Sequence, residues 1–271
     1  MISLAILFVY FTLLAWKRTR CLAFYMLPWV IFGLCYDVMR FYPNYKVNPI
    51  DIKNIYNTEK ELFGITTSQG ILIPGEWFKL HTSSFFDFMA GIFYLCWVPV
   101  PLFFSFYLFY KKEYDWTRRF TWSFLVVNLV GFMGYYIHPT APPWYIDLYG
   151  FEPILNTPGN PAGLIRWDKL TGIYFYSNMY GNNSNVFAAI PSLHAAYLLV
   201  TTIYSIMSKR RWYASLTFGI LCIGIWWTAV YTQHHYVIDV LLGIFTTIIG
   251  ILLFEGGRKI MRNNIFLRNK L

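Results

Sequence analysis

The 271-residue chain is 57% hydrophobic and 21% aromatic, and only 13% of its residues are charged, against roughly 25% in a soluble domain. Its apolar residues fall in long runs, which excludes a water-soluble globular enzyme and indicates an integral membrane protein. The net charge of +9 therefore reports membrane orientation, not nucleic-acid binding. Cys21, Cys35, Cys96 and Cys222 lie inside apolar runs with no metal-like spacing. They read as packing residues, not disulfides or ligands.

Seven runs are candidate spans: Ile2–Trp16, Cys21–Met39, Phe86–Tyr110, Phe120–Ile137, Ala188–Met207, Trp212–Tyr231 and Tyr236–Phe254. The first is short for a span, which takes roughly 17–25 residues. It is no ordinary signal peptide, because its basic residues follow the apolar part and Leu14-Ala15-Trp16 makes a poor cleavage site. The chain reads as one membrane domain, residues 1–271, with an accessory N-terminal helix (1–20), a core (21–254) and a basic tail (255–271).

Between the runs, Lys17-Arg18-Thr19-Arg20, Lys111-Lys112 with Arg118-Arg119, Lys209-Arg210-Arg211 and the tail fall on one side. These segments hold 15 of the 22 Lys and Arg but only Glu113, Asp115 and Glu255 of the acids. The positive-inside rule puts that side in the cytoplasm, with the N-terminus outside and the C-terminus inside. The opposite face then collects all five histidines, His81, His138, His194, His234 and His235.

On that face, Asn48-Pro49-Ile50-Asp51 predicts a helix start, with Asn48 as cap and Pro49 in the first turn. Ile52, Ile55, Leu62 and Phe63 would form its apolar stripe. Such a helix is either a lid over a lipid entrance or a segment lying on the membrane. Tyr36, Asp37 and Arg40 lie near the outer end of the second run. Charges at that depth mark either function or a snorkelling Asp37–Arg40 pair. The loop from His138 opens with Pro139-Thr140-Ala141-Pro142-Pro143-Trp144-Tyr145, where the prolines end the preceding helix. Gly181-Asn182-Asn183-Ser184-Asn185 could bind a polyol through its amides or serve as an ordinary turn-rich loop.

The chemistry concentrates in two stretches, Ile190-Pro191-Ser192-Leu193-His194 and Tyr231-Thr232-Gln233-His234-His235-Tyr236-Val237-Ile238-Asp239. Pro191 suits a first helical turn, placing Ser192 and His194 beside free backbone N–H groups where an anion is favoured. His235 and Asp239, four residues apart, share a helix face, so the carboxylate can fix the imidazole's tautomer and stabilise its cation. His234 points elsewhere and lacks that partner. An isolated histidine at such a place would be a helix cap or an interfacial residue. The pairing of two stretches points to phosphoryl chemistry at a membrane surface.

These residues carry a resemblance. Pro191-Ser192-Leu193-His194 is similar to the second motif, Pro-Ser-Gly-His, of the type 2 phosphatidic acid phosphatase superfamily, with Leu193 in place of glycine. His235-x-x-x-Asp239 resembles the end of the third motif. The whole Tyr231–Asp239 stretch and the Pro139–Tyr145 stretch are closer to the inositol phosphorylceramide synthase branch. The likeness covers roughly Cys21–Phe254. Two superfamily features are absent: Ala229 stands where the phosphatases have arginine, and no Arg-Pro occurs anywhere. The basic phosphate ligand is thus unassigned, with Arg40 the first candidate and Lys79, Arg166 and Lys169 behind it.

The resemblance implies an all-α integral membrane protein, with a six-helix phosphatidic acid phosphatase-like core and an extra N-terminal helix. It implies a phosphotransferase in which His235 is the nucleophile, Asp239 orients it, and His194 is general acid and base. The donor would be phosphatidylinositol and the acceptor ceramide or a related sphingolipid. Diacylglycerol would leave, with no cofactor, metal or nucleic acid involved. Candidate substrate contacts are Arg40, His138, Tyr231, Asn182, Asn183 and Arg166. Two other readings compete. A hydrolase of lipid phosphates or polyprenyl diphosphates could use the same site with water as acceptor. A seven-span receptor, channel or transporter would need polar residues deep in its spans, whereas the ionisable groups here cluster at one edge.

Overall fold

In lipid only a helix or a closed barrel satisfies every backbone polar group within the segment, and the apolar runs fold as helices. The computed structural model of the chain describes residues 2–68, 70–181 and 185–268. The runs form α1 (Ile2–Ala15), α2 (Arg20–Val38), then, after the amphipathic α3 (Lys53–Phe63) and short α4 (Pro74–Leu80), α5 (Ser84–Leu95), α6 (Pro99–Tyr110) and α7 (Tyr114–Ile137). Short helices α8 (Pro143–Tyr149), α9 (Ile165–Thr171) and α10 (Phe175–Tyr180) fill the second outer loop, before α11 (Leu193–Met207), α12 (Trp212–Tyr231) and α13 (Val237–Arg268). A small hairpin, β1 (Ile65–Thr67) with β2 (Gly70–Leu72), follows α3.

By length and composition, α2 with its following turn, α7, α12 and α13 can each cross a membrane. The α5–α6 pair makes a fifth crossing bent by 42°. The bend has a local cause. Pro99 and Pro101 lack the N–H groups that would carry the α5 ladder on into α6, so the helix breaks and restarts with Pro99 at its first position. The consequence is that Trp97, in the break, packs across the bundle against Tyr197, with ring centroids 5.7 Å apart and planes within 4°. Helices α1 and α11 are apolar but shorter. The expected fifth run proves to start late: residues 188–192 are non-helical, and α11 begins at Leu193.

The bundle core is aromatic. Trp29 of α2 stacks on Phe124 of α7 at 4.2 Å, and Phe124 meets Tyr197 of α11 at 4.8 Å. Polar groups in this core are matched: the Trp29 indole donates to Ser105 Oγ at 2.9 Å, and the Tyr197 hydroxyl to Asn128 Oδ1 at 2.6 Å. Large apolar side chains on α12 and α13, among them Ile223, Phe245 and Leu252, point outward, as a lipid-facing surface requires. At the basic end, each of the three acids is paired. Glu113 takes two donors from Arg210 at 2.8 and 2.6 Å, Asp115 pairs with Arg118 at 2.8 Å, and Glu255 accepts from Arg119 at 2.9 Å and Arg258 at 2.8 Å.

The other end is closed by the loops. Thr140 of the proline-rich stretch bridges Asp51 on one side and Ala188 on the other, and Asn44 Nδ2 donates to the Tyr135 and Phe187 carbonyls. The helix expected from Asn48 starts later. Asp51, not Asn48, is its capping side chain, accepting from Asn54 N at 3.0 Å and Ile55 N at 3.3 Å. Asn48 instead donates to the Tyr136 carbonyl. The buried stripe of α3 is Ile52, Ile55 and Glu59, while Leu62 is exposed.

Glu59 is the unexpected member of that stripe. Its carboxylate oxygens accept from Val237 N at 2.8 Å and Ile238 N at 3.1 Å. These are two otherwise unpaired donors of the first turn of α13, at the positive end of its dipole. Burial pushes the carboxyl up to about 7, against the lowering effect of the two backbone donors. Because the folded-state value lies above the unfolded value of about 4.5, this contribution to stability is complete below 4.5 and is lost as pH rises through 7. Glu59→Ala leaves two buried N–H groups unpaired and is expected to cost about 1–3 kcal/mol. Thermal unfolding in detergent is expected to show the wild-type melting temperature falling between about pH 5 and 8, with the slope reduced in Glu59→Gln. A wild-type melting temperature that does not change over that range would contradict the assignment.

Candidate active site

The two histidine stretches meet at the loop-covered end of the bundle. The chain enters α11 through Ser192, whose Oγ accepts from Ala195 N at 3.3 Å as an N-cap. Pro191 therefore lies outside the helix, not in its first turn as the sequence suggested. His194 is the second helical residue. Ser192 N donates to the Asp239 carbonyl at 2.9 Å, which joins the start of α11 to the first turn of α13.

The second stretch is a tight link between α12 and α13. Gln233 takes a left-handed conformation, φ 61°, and turns the chain toward His234 and His235. Such a conformation strains a non-glycine residue, and the surroundings hold it. Trp144 N donates to the Gln233 carbonyl at 3.1 Å, and Gln233 Nε2 donates to Asp147 at 2.9 Å. Gly163 N donates to the Thr232 carbonyl, and His235 N to that of Ala229.

His235 and Asp239 are partnered, but not as neighbours on a helix face. His235 precedes α13, and Asp239 sits in its first turn and reaches back. Asp239 Oδ2 accepts from Tyr236 N at 2.9 Å and faces His235 Nδ1 at 3.2 Å. The carboxylate thus caps the helix and orients the imidazole together. With Nδ1–H directed to Asp239, His235 Nε2 carries the lone pair. That nitrogen lies 3.0 Å from His194 Nδ1, and His194 Nε2 lies 2.7 Å from the Tyr94 hydroxyl. Trp97 packs on the His194 ring at 4.5 Å.

His194, His234 and His235 line a cavity of about 220 Å³. Its polar lining includes Tyr36, Arg40, Tyr180 and Asn185, and its apolar lining Met39, Trp97, Leu193 and Tyr197. Arg40 pairs with Asp37 at 2.6 Å, and its buried Nε has no hydrogen-bond partner in the protein. A cation with a spare donor in the same cavity as an imidazole lone pair suits an anionic phosphorus group. His234 stacks on Tyr180 at 4.6 Å, and its Nε2 donates to the Pro161 carbonyl at 3.0 Å. Burial pushes His234 down to about 3, so it is neutral at pH 7 and braces the wall.

The remaining sequence candidates lie apart from the cavity lining. His138 faces Asp51 at 3.2 Å and is half exposed. Tyr231 is buried, donating to Asp87 at 2.7 Å, and Arg166 donates to the same carboxylate at 2.6 Å. Lys79 pairs with Asp147 at 2.8 Å, Lys169 is exposed on α9, and His81 stacks on Trp77. Asn182 and Asn183 fall outside the described residues. Tyr94, Tyr180, Trp97 and Glu59 were not foreseen. For Glu59 the signal was an acid at the i+4 position of an apolar stripe. For Tyr94 nothing separated it from the other 21 tyrosines.

Residues 68–253 match the PAP2 superfamily. The chain is 55% identical over 239 residues to phosphoinositol dihydroceramide synthase of Bacteroides thetaiotaomicron, covering 88% of this chain and 78% of that one. It is 28% identical to the catalytic subunits of inositol phosphorylceramide synthase from Saccharomyces cerevisiae and Schizosaccharomyces pombe. Those matches cover 86% and 85% of this chain but only 56% and 53% of the yeast proteins. No solved structure matches the chain significantly. The chain is a membrane enzyme of the PAP2 superfamily, on its inositol phosphorylceramide synthase-like branch.

Proposed function

We propose that the protein transfers a phosphoinositol headgroup from phosphatidylinositol to ceramide or a related sphingolipid, releasing diacylglycerol. The observation that carries this reading is His235 Nε2, held as a lone pair by Asp239 and facing His194 in a cavity that also presents Arg40. His235 attacks phosphorus as the bond to the diacylglycerol oxygen breaks, giving a phosphohistidine. His194 supplies the proton that the departing oxygen takes. In the second half the acceptor hydroxyl gives its proton to His194 and attacks phosphorus, and the His235 nitrogen leaves. Arg40 neutralises charge on the phosphoryl oxygens. The names of the relatives, above all the 55% identical one, support the inositol and sphingolipid assignments.

The reading includes a topology of about seven spans, with the N-terminus and active site outside and the basic end cytoplasmic. It places the enzyme in a bacterial inner membrane, or a Golgi-type membrane if eukaryotic. The charge asymmetry of the sequence supports it. His138, Tyr231 and Arg166 are then supports of the loops over the site; Asn182 and Asn183 remain candidate rim contacts.

Purified enzyme given labelled phosphatidylinositol is expected to move label to a new lipid only when ceramide is present, and His235→Ala is expected to abolish transfer. Release of water-soluble inositol phosphate irrespective of ceramide would instead make the protein a hydrolase. Arg40→Ala is expected to lower kcat/KM for the donor roughly 10- to 100-fold, the worth of a charge-assisted hydrogen bond of about 1.5–3 kcal/mol. Arg40→Lys should recover part of the loss. Unchanged kinetics in Arg40→Ala would remove Arg40 from the site.

A further inference from the structure

The general acid and base assigned above must hold a proton in one half of the cycle and a lone pair in the other. Its Nδ1 faces His235 and the reacting groups. Its Nε2 faces the Tyr94 hydroxyl at 2.7 Å. Tyr94 is fully buried on α5, and its oxygen makes a second hydrogen bond to the Tyr180 hydroxyl of α10. Tyr180 in turn lines the cavity and lies flat against His234.

His194 gives up and regains its proton at Nδ1, so Nε2 keeps its hydrogen in both states and needs an acceptor throughout. In the imidazolium, and equally in the neutral form with its lone pair on Nδ1, Nε2–H donates to the Tyr94 hydroxyl, and Tyr94 directs its own O–H to Tyr180. No proton leaves either tyrosine, and the heavy atoms stay in place. Without that acceptor the buried Nε2–H would be unpaired, and the tautomer that leaves Nδ1 free to take a proton would be disfavoured. A buried polar atom without a partner is costly.

We propose that Tyr94 is the positioning residue of His194, a hydroxyl that accepts Nε2–H in both protonation states and so keeps the exchangeable proton on Nδ1, with Tyr180 accepting in turn from Tyr94. This rests on the phosphotransfer reading, in which His194 protonates the leaving diacylglycerol oxygen. The proton that the oxygen takes comes from His194 Nδ1, and the proton from the acceptor hydroxyl later restores it, so the tyrosines carry no net charge through the cycle.

The test separates help to the acid from mere packing. Tyr94→Phe keeps the ring and removes the hydroxyl. With phosphatidylinositol and ceramide, kcat is expected to fall roughly 10- to 100-fold with little change in KM. An inositol phosphodiester with a nitrophenyl leaving group needs no protonation to depart. Its first-turnover release of nitrophenol is therefore expected to fall less than threefold in the same variant. Tyr180→Phe should show the same pattern with a smaller loss. Because each variant is compared with itself on two substrates, partial misfolding cancels. An equal penalty on both leaving groups in Tyr94→Phe, or no penalty on either, would overturn the role assigned to Tyr94. Nitrophenol release that survives His235→Ala would overturn the phosphotransfer reading itself, and the control identifies that failure separately.

Discussion

The site depends on how closely α13 approaches the start of α11. The Ser192 N–H to Asp239 carbonyl bond, 2.9 Å long, sets that distance, and Gly243 permits it. A Cβ at position 243 would lie 2.2 Å from the Ser192 carbonyl oxygen, which no side-chain adjustment could relieve. From this one approach follow the 3.0 Å contact between His194 and His235 and the placement of both at one cavity wall. The superfamily's motif glycine is Leu193 here, and the volume is accommodated across the bundle. Leu193 is buried against Gly131 of α7, where a Cβ would come within 2.5 Å of the leucine side chain.

Charge is handled differently at the two ends. At the basic end, the Asp115–Arg118 pair is exposed and such a pair contributes little, whereas Glu113–Arg210 and Glu255–Arg119 are mostly shielded and tie separate elements together. At the histidine end, three buried carboxylates are given backbone donors. Asp239 takes Tyr236 N and His235, Glu59 takes Val237 N and Ile238 N, and Asp168 takes Tyr176 N and Ser177 N. Both Arg40 and Glu59 precede residue 68, where the superfamily match begins.

The sequence made the helical runs legible because hydrophobic length and basic punctuation are strong, local signals. It also made the His235–Asp239 partnership legible, although the expected geometry, two residues on one helix face, was wrong in detail. Asp239 works from the first turn of the helix back onto a residue that precedes it. The same limit moved the start of α3 from Asn48 to Lys53, because a capping side chain and a loop amide look alike in sequence. What stayed hidden was long-range. Glu59 reaches α13 across 178 residues and Tyr94 reaches His194 across 100, and no periodicity records such contacts. Arg166 and Tyr231, candidate substrate contacts in the sequence, both donate to Asp87 in the fold, a pairing across 79 and 144 residues that the sequence does not record.

The most direct test of the account is to look for the covalent intermediate. Enzyme mixed with phosphatidylinositol in the absence of any sphingolipid, quenched within the first turnover under alkaline conditions and digested, would be mapped by mass spectrometry. The account requires a phosphoinositol adduct on His235, discharged when ceramide is added. An adduct on His194 or His234, or turnover with no adduct on any histidine, would contradict the assignment of His235 as the nucleophile.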